Sequence, residues 1–190
     1  NGPFAPSPIV CCCDRFKELT KAVPGHFQNN DSVILLVGER KNELGGSVYY
    51  SLKNELGANV PKPNLEEVKN QLFALTDCID DGLVLSCHDI ADGGIASALA
   101  EMTFRNSIGC NVNIESDLSP DKILFSETGG FILEVLPKNT NAIKSVFSNY
   151  GLGVFEIGST GGQSIEINSI TDIYVSETKK AWTNGLREKL

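Results

Sequence analysis

Apolar residues along this chain follow two patterns, and both predict strands. The apolar run at 32–38 predicts a strand that is buried on both faces of a sheet. The segment at 131–136, apolar except for Glu134, predicts another strand. Residues 110–114 instead alternate between apolar and polar side chains, which predicts a strand with one exposed face. Shorter apolar segments predict further strands at 154–157 and 164–167. The strands of a sheet are therefore distributed over most of the chain.

Helical periodicity predicts the segments that cover this sheet. Asn64 is predicted to cap a helix that ends near Gly82, with these apolar residues facing inward: Leu65, Val68, Leu72, Leu75 and Ile79. A second helix is expected after Asn139 or Thr140, and a last one after Ser176, with Trp182 and Leu186 facing inward. Because helices and strands interleave, the predicted fold class is α/β (an α+β sandwich), a mixed sheet with helices packed on it.

One segment, Ser-Cys-His-Asp-Ile-Ala-Asp-Gly-Gly-Ile-Ala at 86–96, carries most of the candidate chemistry. An apolar strand at 83–87 runs into it, and residues at helical spacing follow it: Ile95, Ala98, Leu99 and Met102. A glycine-led helix start offers backbone amides to phosphate, and carboxylates beside it can hold the magnesium that accompanies phosphate. The segment therefore predicts a strand, a tight turn and a helix with a combined metal and phosphate site.

Individual residues of this turn allow more than one role. Asp89 is the metal candidate, since nothing about ending a strand requires a carboxylate there. Asp92 either caps the helix or shares the cation, and His88 is a proton shuttle, a phosphate ligand or a structural residue. Gly93 and Gly94 supply the ligand-binding amides. No residue is assigned a catalytic role.

A second candidate segment is Leu-Phe-Ser-Glu-Thr-Gly-Gly at 124–130, directly before a predicted strand. Glu127 can supply a third carboxylate, and Thr128 and Gly129 leave room for a ligand. The alternative is a polar loop with a flexible Gly-Gly hinge.

A third candidate segment, Leu-Gly-Gly-Ser at 44–47, is predicted to open a short helix that runs to about Leu56. Gly45 and Gly46 allow backbone amides to converge on an anion, and Ser47 either joins them or acts as the N-cap. The segment lacks the lysine and the spacing of a P-loop, and the chain has no dinucleotide-type glycine pattern.

Composition narrows the choice of ligands and of compartment. The 190 residues carry a net charge of −8, with a pI near 4.8, which argues against a nucleic-acid surface. Six cysteines lack any metal-finger spacing, so we expect reduced, mostly buried thiols and a cytoplasmic protein. No signal peptide or membrane span is predicted.

The N-terminal region is expected to belong to another unit. Its opening residues are rich in proline, lead into an apolar run at 9–13 and lack an initiator Met. We therefore expect residues 1–28 to be the closing strand and linker of a preceding domain, and residues 29–190 to form the domain proper.

The three ordered segments together resemble the phosphoribosylformylglycinamidine synthase family, and within it the last, C-terminal AIR synthase-like domain of the synthetase subunit. The resemblance covers nearly the whole chain. It implies conversion of formylglycinamide ribonucleotide (FGAR), ATP and glutamine-derived ammonia to formylglycinamidine ribonucleotide in purine biosynthesis. It also implies magnesium, preceding domains on the same polypeptide and a glutaminase domain or subunit as partners.

The resemblance also assigns residues. Asp89 takes the place of the family's magnesium-associated aspartate, and Glu127, Thr128 and Gly129 take the place of its Ser-Glu-Ser-Gln substrate segment, from which Thr128 and Gly129 depart. His88-Asp89 with Gly93-Gly94 is the pattern of the second of two domain copies. Two alternatives stay open: a non-catalytic scaffold copy, and the C-domain of another superfamily member such as AIR synthase, selenophosphate synthetase or thiamine-monophosphate kinase. Under each of them the isolated chain is expected to fold without turning over substrate.

Overall fold

Seven strands form one mixed sheet in the computed structural model, which describes Cys11 and residues 18–185. They are β1 (Val33–Val37), β2 (Val84–Asp89), β3 (Cys110–Val112), β4 (Phe131–Val135), β5 (Val154–Thr160), β6 (Ser164–Ile167) and β7 (Thr171–Tyr174). Their order across the sheet is β2-β4-β1-β5-β3-β6-β7. Only the pairing of β3 with β6 is parallel among these described strands. The predicted fold class, a mixed sheet with helices packed on it, is confirmed.

Six α-helices lie between or after these strands in the described residues. They are α1 (Val48–Leu52), α2 (Leu65–Asp80), α3 (Gly94–Thr103), α4 (Pro120–Phe125), α5 (Thr140–Asn149) and α6 (Val175–Asn184). Short 3-10 turns occur at Leu19–Lys21 and Pro137–Asn139. The structure adds α4 and β7 to the predicted elements, and α1 ends before the predicted limit near Leu56.

Helices cover both faces of the sheet at β1 and β4, which explains the continuous apolar run of β1. Alternate residues of β1 point into two separate cores: Leu35 joins the core formed with α2 and α5, and Leu36 joins the core formed with α3 and α4. The neighbouring strand β4 divides in the same way. A strand between two helical layers has no solvent-facing side, so the side chains of β1 are apolar on both faces.

The predicted inward face of α2 is partly wrong. Leu65, Val68 and Leu72 are 79%, 38% and 48% exposed. The buried stripe is instead Gln71, Ala74, Leu75 and Cys78, with Ile79 at its margin. This stripe keeps the helical spacing, but it contains the small residues that allow the helix to pack close to the sheet. Asn64 is the N-cap as predicted, since its Oδ1 accepts from the amides of Glu66 and Glu67.

The last helix also departs from the prediction. α6 begins at Val175, so Ser176 lies inside it and does not cap it. Trp182 is 63% exposed and touches the ring of Phe104 at a centroid distance of 5.5 Å, so its predicted burial is wrong. Leu186 lies outside the described residues. At α5, Asn139 occupies the N-cap position without a capping bond, and Ile143 and Phe147 are buried.

The segment before β1 packs into this domain. Phe27 is fully buried in the core beneath α3, and the amide of Cys87 in β2 donates to the carbonyl of Pro24 at 3.0 Å. Glu134 of β4, also fully buried, accepts hydrogen bonds from the amides of Gln28 and Asn29 at 2.7 and 2.9 Å. Residues 24–29 are therefore held by this sheet. The predicted strand at 9–13 falls outside the described residues, except for Cys11.

The described core cysteines are reduced. Cys78, Cys87 and Cys110 are free thiols, and burial raises their pKa to about 11, 12 and 12. They behave as small apolar residues, as predicted. No helix within Cys11 and residues 18–185 has the length and apolarity that a bilayer crossing requires.

Candidate functional site

The three candidate segments meet at one end of the sheet because of the strand order. Strands β1 and β2 both end where β4, which lies between them, begins. Val37 at the end of β1 and Asp89 at the end of β2 are both paired with Phe131, the first residue of β4. The loops that follow β1 and β2 therefore lie beside the loop at 126–130 that precedes β4.

Glu127 joins the three segments directly. Its Oε1 accepts a hydrogen bond from the amide of Val48 at 2.9 Å and another from the amide of Gly93 at 2.8 Å. These amides lie at the starts of α1 and α3, where backbone N–H groups have no partner within the helix. A carboxylate at this position also interacts favourably with the helix dipole of α3. The carboxylate of Glu127 thus occupies the position at both helix starts where a bound anion would accept these hydrogen bonds.

The amides of Gly45, Gly46 and Ser47 are bonded within the chain. They donate to the carbonyls of Asn59, Leu56 and Leu44 at 2.7, 2.7 and 3.2 Å, so they do not converge on an anion in this conformation. Ser47 is the N-cap of α1, with its Oγ accepting from the amide of Tyr50 at 3.2 Å. A Cβ at Gly45 would lie 2.7 Å from the backbone of Asn59, which explains the glycine there.

The turn between β2 and α3 depends on its two glycines. Gly93 is the N-cap of α3 at φ +78°, and Gly94 follows at φ +67°. A Cβ on Gly94 would lie 2.6 Å from the carbonyl oxygen of Leu124, so α3 and α4 approach closely here. Asp92 is exposed and makes no capping bond, so the capping role considered for it is wrong.

His88 is engaged by acceptors at both ring nitrogens. Its Nε2 lies 3.1 Å from Oε2 of Glu101, and its Nδ1 lies 2.7 Å from the carbonyl oxygen of Asp89. An anionic ligand would have to displace these partners, so the geometry favours the structural alternative for His88. The side chain of Asp89 is 68% exposed and remains open to a ligand.

A cavity of about 340 Å³ brings Asp89 together with Glu127, Thr128 and Gly129. Lys41, Lys62 and the start of α2 complete its walls. Sequence reasoning missed both lysines, because each lies in a polar or proline-rich loop without any motif. The two lysines can attract a phosphate, although the carboxylates of Glu39 and Glu67 line the same cavity and add to its negative charge. A larger cavity of about 810 Å³, lined in part by Arg40, contains none of the predicted site residues.

Asp89 fits one particular mode of magnesium binding. In the part of the chain that the structure describes, no three His, Cys, Asp or Glu side chains gather closely enough to hold a metal ion by themselves. Magnesium is commonly held by one or two carboxylates together with substrate phosphates, and an exposed Asp89 can supply one such ligand. Asp89 is therefore available as a single carboxylate ligand, and the described residues do not complete a metal site by themselves.

Arg40 contacts the 126–130 loop of the candidate site, which the sequence did not indicate. It is only 8% exposed, and its guanidinium donates to the carbonyl of Ser126 at 3.4 Å and to the carbonyl of Gly129. Burial lowers its pKa to about 10, although the nearby carboxylate of Glu43 acts in the opposite direction. The run of polar residues at 39–43 is typical of a solvated loop, so burial of Arg40 had no sequence signal.

The fold and the site define a mixed α/β domain in which three loops gather at one sheet end. The chain belongs to the family of AIR synthase related proteins, as their C-terminal domain, with residues 29–168 matched. It is 31% identical over 197 residues to the phosphoribosylformylglycinamidine synthase subunit PurL of Methanothrix thermoacetophila, covering 100% of this chain and 26% of that protein. The family resemblance inferred from the three segments is thereby confirmed.

Solved structures of PurL share the fold. Thermotoga maritima PurL complexed with FGAR matches with a TM-score of 0.72 and 16% identity, over 85% of this chain and 30% of that chain. The same protein complexed with ATP matches with a TM-score of 0.67 and 18% identity, over 85% and 28%. The chain thus spans roughly a quarter to a third of the length of these relatives.

Proposed function

We propose that this chain is the C-terminal domain of a phosphoribosylformylglycinamidine synthase and forms one wall of a ligand site that other domains complete. The observation that carries the proposal is the meeting of Asp89 and the 126–130 loop at one cavity, in a chain related to PurL. The reaction proposed for the longer protein converts FGAR, ATP and glutamine-derived ammonia to formylglycinamidine ribonucleotide.

Each wall residue has a proposed task. Thr128 and Gly129 contact FGAR, and Gly129 has open space around its α-carbon at φ +89°. Lys41 and Lys62 attract its phosphate, because both face the same cavity. Asp89 holds magnesium together with phosphate oxygens; a bound magnesium ion neutralises charge that develops on phosphate. Gly93 and Gly94 shape the turn that presents Asp89.

Turnover of the longer protein tests this proposal. We expect Asp89→Asn to lower FGAR-dependent ATP hydrolysis by about 10²-fold or more, since an amide is a weak ligand for magnesium. Asp117→Asn makes the same chemical change at an exposed position outside the cavity and is expected to leave turnover unchanged. Unchanged turnover in Asp89→Asn would contradict the proposed role of this wall.

A scaffold copy is the second candidate, and specific contacts favour it. The Glu127 carboxylate is already bonded to the amides of Val48 and Gly93, and the amides of the 44–47 segment are bonded within the chain. A scaffold predicts normal turnover in both Asp89→Asn and Thr128→Val. A loss confined to these cavity variants, with normal folding, rules it out.

The proposed partners follow from the same assignment. Preceding domains of the polypeptide close the open side of the cavity, and a glutaminase domain or subunit supplies ammonia. We propose a cytoplasmic location. The isolated chain is expected to fold and to show no FGAR-dependent ATP hydrolysis, and such hydrolysis by the purified 190-residue chain would contradict this.

A further inference from the structure

The guanidinium of Arg40 holds the 126–130 loop at two points. Its Nη1 donates to the carbonyl of Ser126 at 3.4 Å, and its Nη2 donates to the carbonyl of Gly129. These two carbonyls flank Glu127 and Thr128. A planar guanidinium with several donors in a fixed arrangement is suited to fixing two acceptors relative to each other.

The surroundings of Arg40 are unfavourable for a purely stabilising role. The side chain is 8% exposed, its partners are neutral carbonyls, and its Nε has no hydrogen-bond partner among the described residues. Burying a charge whose hydrogen bonds go only to neutral groups costs free energy, and the nearby carboxylate of Glu43 offsets only part of that cost. Stability alone therefore does not explain the buried guanidinium. Its contacts indicate that it fixes the position of the 126–130 loop.

Further contacts transmit this position to the cavity. The hydroxyl of Ser126 donates to the carbonyl of Glu43 at 3.4 Å and lies 2.6 Å from the hydroxyl of Thr128. Gly130 leads into β4 at φ +111°, where a Cβ would lie 2.2 Å from the carbonyl oxygen of Val37. The loop is thus fixed at both ends, and Glu127 reaches the amides of two helix starts from it.

We propose that Arg40 is the positioning residue of the candidate site, holding the carbonyls of Ser126 and Gly129 so that Glu127 and Thr128 face the α1 and α3 starts and the cavity. Arg40 touches no proposed ligand group itself. This role rests on the proposed function in one respect, which is that the 126–130 loop contacts FGAR. The geometry of the loop can be tested without that assumption.

Hydrogen exchange in the longer protein tests the geometry. In Arg40→Met, we expect the peptides that contain Val48 and Gly93 to exchange about tenfold faster, because Glu127 no longer holds their amides. Lys144→Met is the matched control: Lys144 lines the same 810 Å³ cavity as Arg40 but pairs with Glu156 at 3.3 Å. Exchange within twofold of the wild type in both peptides of Arg40→Met would overturn the proposal.

A second variant covers the case of general unfolding. If Arg40→Met also accelerates exchange in the distant strand β6, Arg40→Lys decides, since it keeps the charge and loses the two-point grip. Faster exchange confined to the two peptides supports positioning. If Arg40→Lys accelerates exchange equally in these peptides and in β6, or in neither, the positioning proposal is overturned.

Kinetics of the same variants separate this inference from the proposed function. We expect the KM for FGAR to rise about 10- to 100-fold in Arg40→Met with a smaller change in kcat, and Arg40→Lys to recover part of the loss. Faster exchange with an unchanged KM supports the positioning role and contradicts FGAR contact by the loop. An unchanged exchange rate with a raised KM overturns the positioning role and leaves FGAR contact supported.

Discussion

Removing the Glu127 carboxylate is the perturbation whose size the structure allows us to work out most directly. In Glu127→Ala the amides of Val48 and Gly93 lose the acceptor that lies 2.9 and 2.8 Å away. A hydrogen bond to a charged group contributes about 1.5–3 kcal/mol, and the lost anion at the α3 start adds about 0.3–1 kcal/mol. Because both bonds share one partly exposed oxygen, we expect a loss of about 2–3 kcal/mol in unfolding free energy.

Urea denaturation of this chain, followed by far-ultraviolet circular dichroism, measures that loss. It corresponds to a fall in Tm of about 4–12 °C for a domain of this size. Glu127→Gln keeps an acceptor oxygen and is expected to lose only about 1 kcal/mol. Glu115→Ala removes an exposed carboxylate without a described hydrogen bond and should change stability by less than about 0.5 kcal/mol. A Glu127→Ala value as small as this control would refute the reasoning.

Three further predictions concern the backbone, a buried acid and the thiols. Gly94→Ala should lower the free energy of unfolding by about 2–5 kcal/mol, and Gly82→Ala by about 1–2 kcal/mol. Both glycines have positive φ, but of these two only Gly94 has backbone atoms where the added Cβ would lie. Equal losses in urea denaturation would contradict this. Glu134→Gln should cost about 2–4 kcal/mol and expose residues 24–29 to proteolysis, because an amide NH₂ would face donors; unchanged proteolysis would contradict it. Burial raises the pKa of Cys78, Cys87 and Cys110 to about 11–12, so at pH 8 only about one thiol in 10³ or fewer is ionised. Iodoacetamide should therefore label these thiols in urea and not in the native chain. Rapid labelling of the native chain at these positions would contradict their burial.

Sequence patterns predicted those elements whose environment is uniform along their length. β1 is apolar throughout because helices cover both of its faces, and that burial needs no knowledge of the neighbours. β4 follows the same pattern except at the buried Glu134. The strand, turn and helix around Gly93 could also be predicted, since apolar periodicity changes there from that of a strand to that of a helix.

Elements whose packing depends on partners could not be predicted in the same way. The apolar residues Leu65 and Leu72 are exposed because the small residues Ala74 and Cys78 of α2 face the sheet instead. Trp182 is exposed although it is the one aromatic residue of α6. Hydrophobicity alone does not report how closely a helix approaches its sheet.

The candidate site was predictable as a set of segments and not as a set of contacts. Their meeting follows from the order β2-β4-β1, which local patterns do not contain. Glu127 was singled out as a ligand-binding candidate, which stays a prediction, and its contacts to two helix starts required the fold. No sequence signal indicated that Arg40, in a polar loop, and Glu134, in a mostly apolar strand, are buried. Whether a charged side chain is buried depends on the hydrogen-bond partners that the fold brings to it.

Binding of FGAR to the longer protein tests the central claim most directly, because it needs no turnover. Isothermal titration calorimetry of Thr128→Val should show a Kd for FGAR raised about tenfold or more, with a Tm within about 2 °C of the wild type. Thr183→Val, an exposed position on α6, is the control and should bind as the wild type does. An unchanged Kd in Thr128→Val would contradict the claim that the 126–130 loop forms a wall of the ligand site.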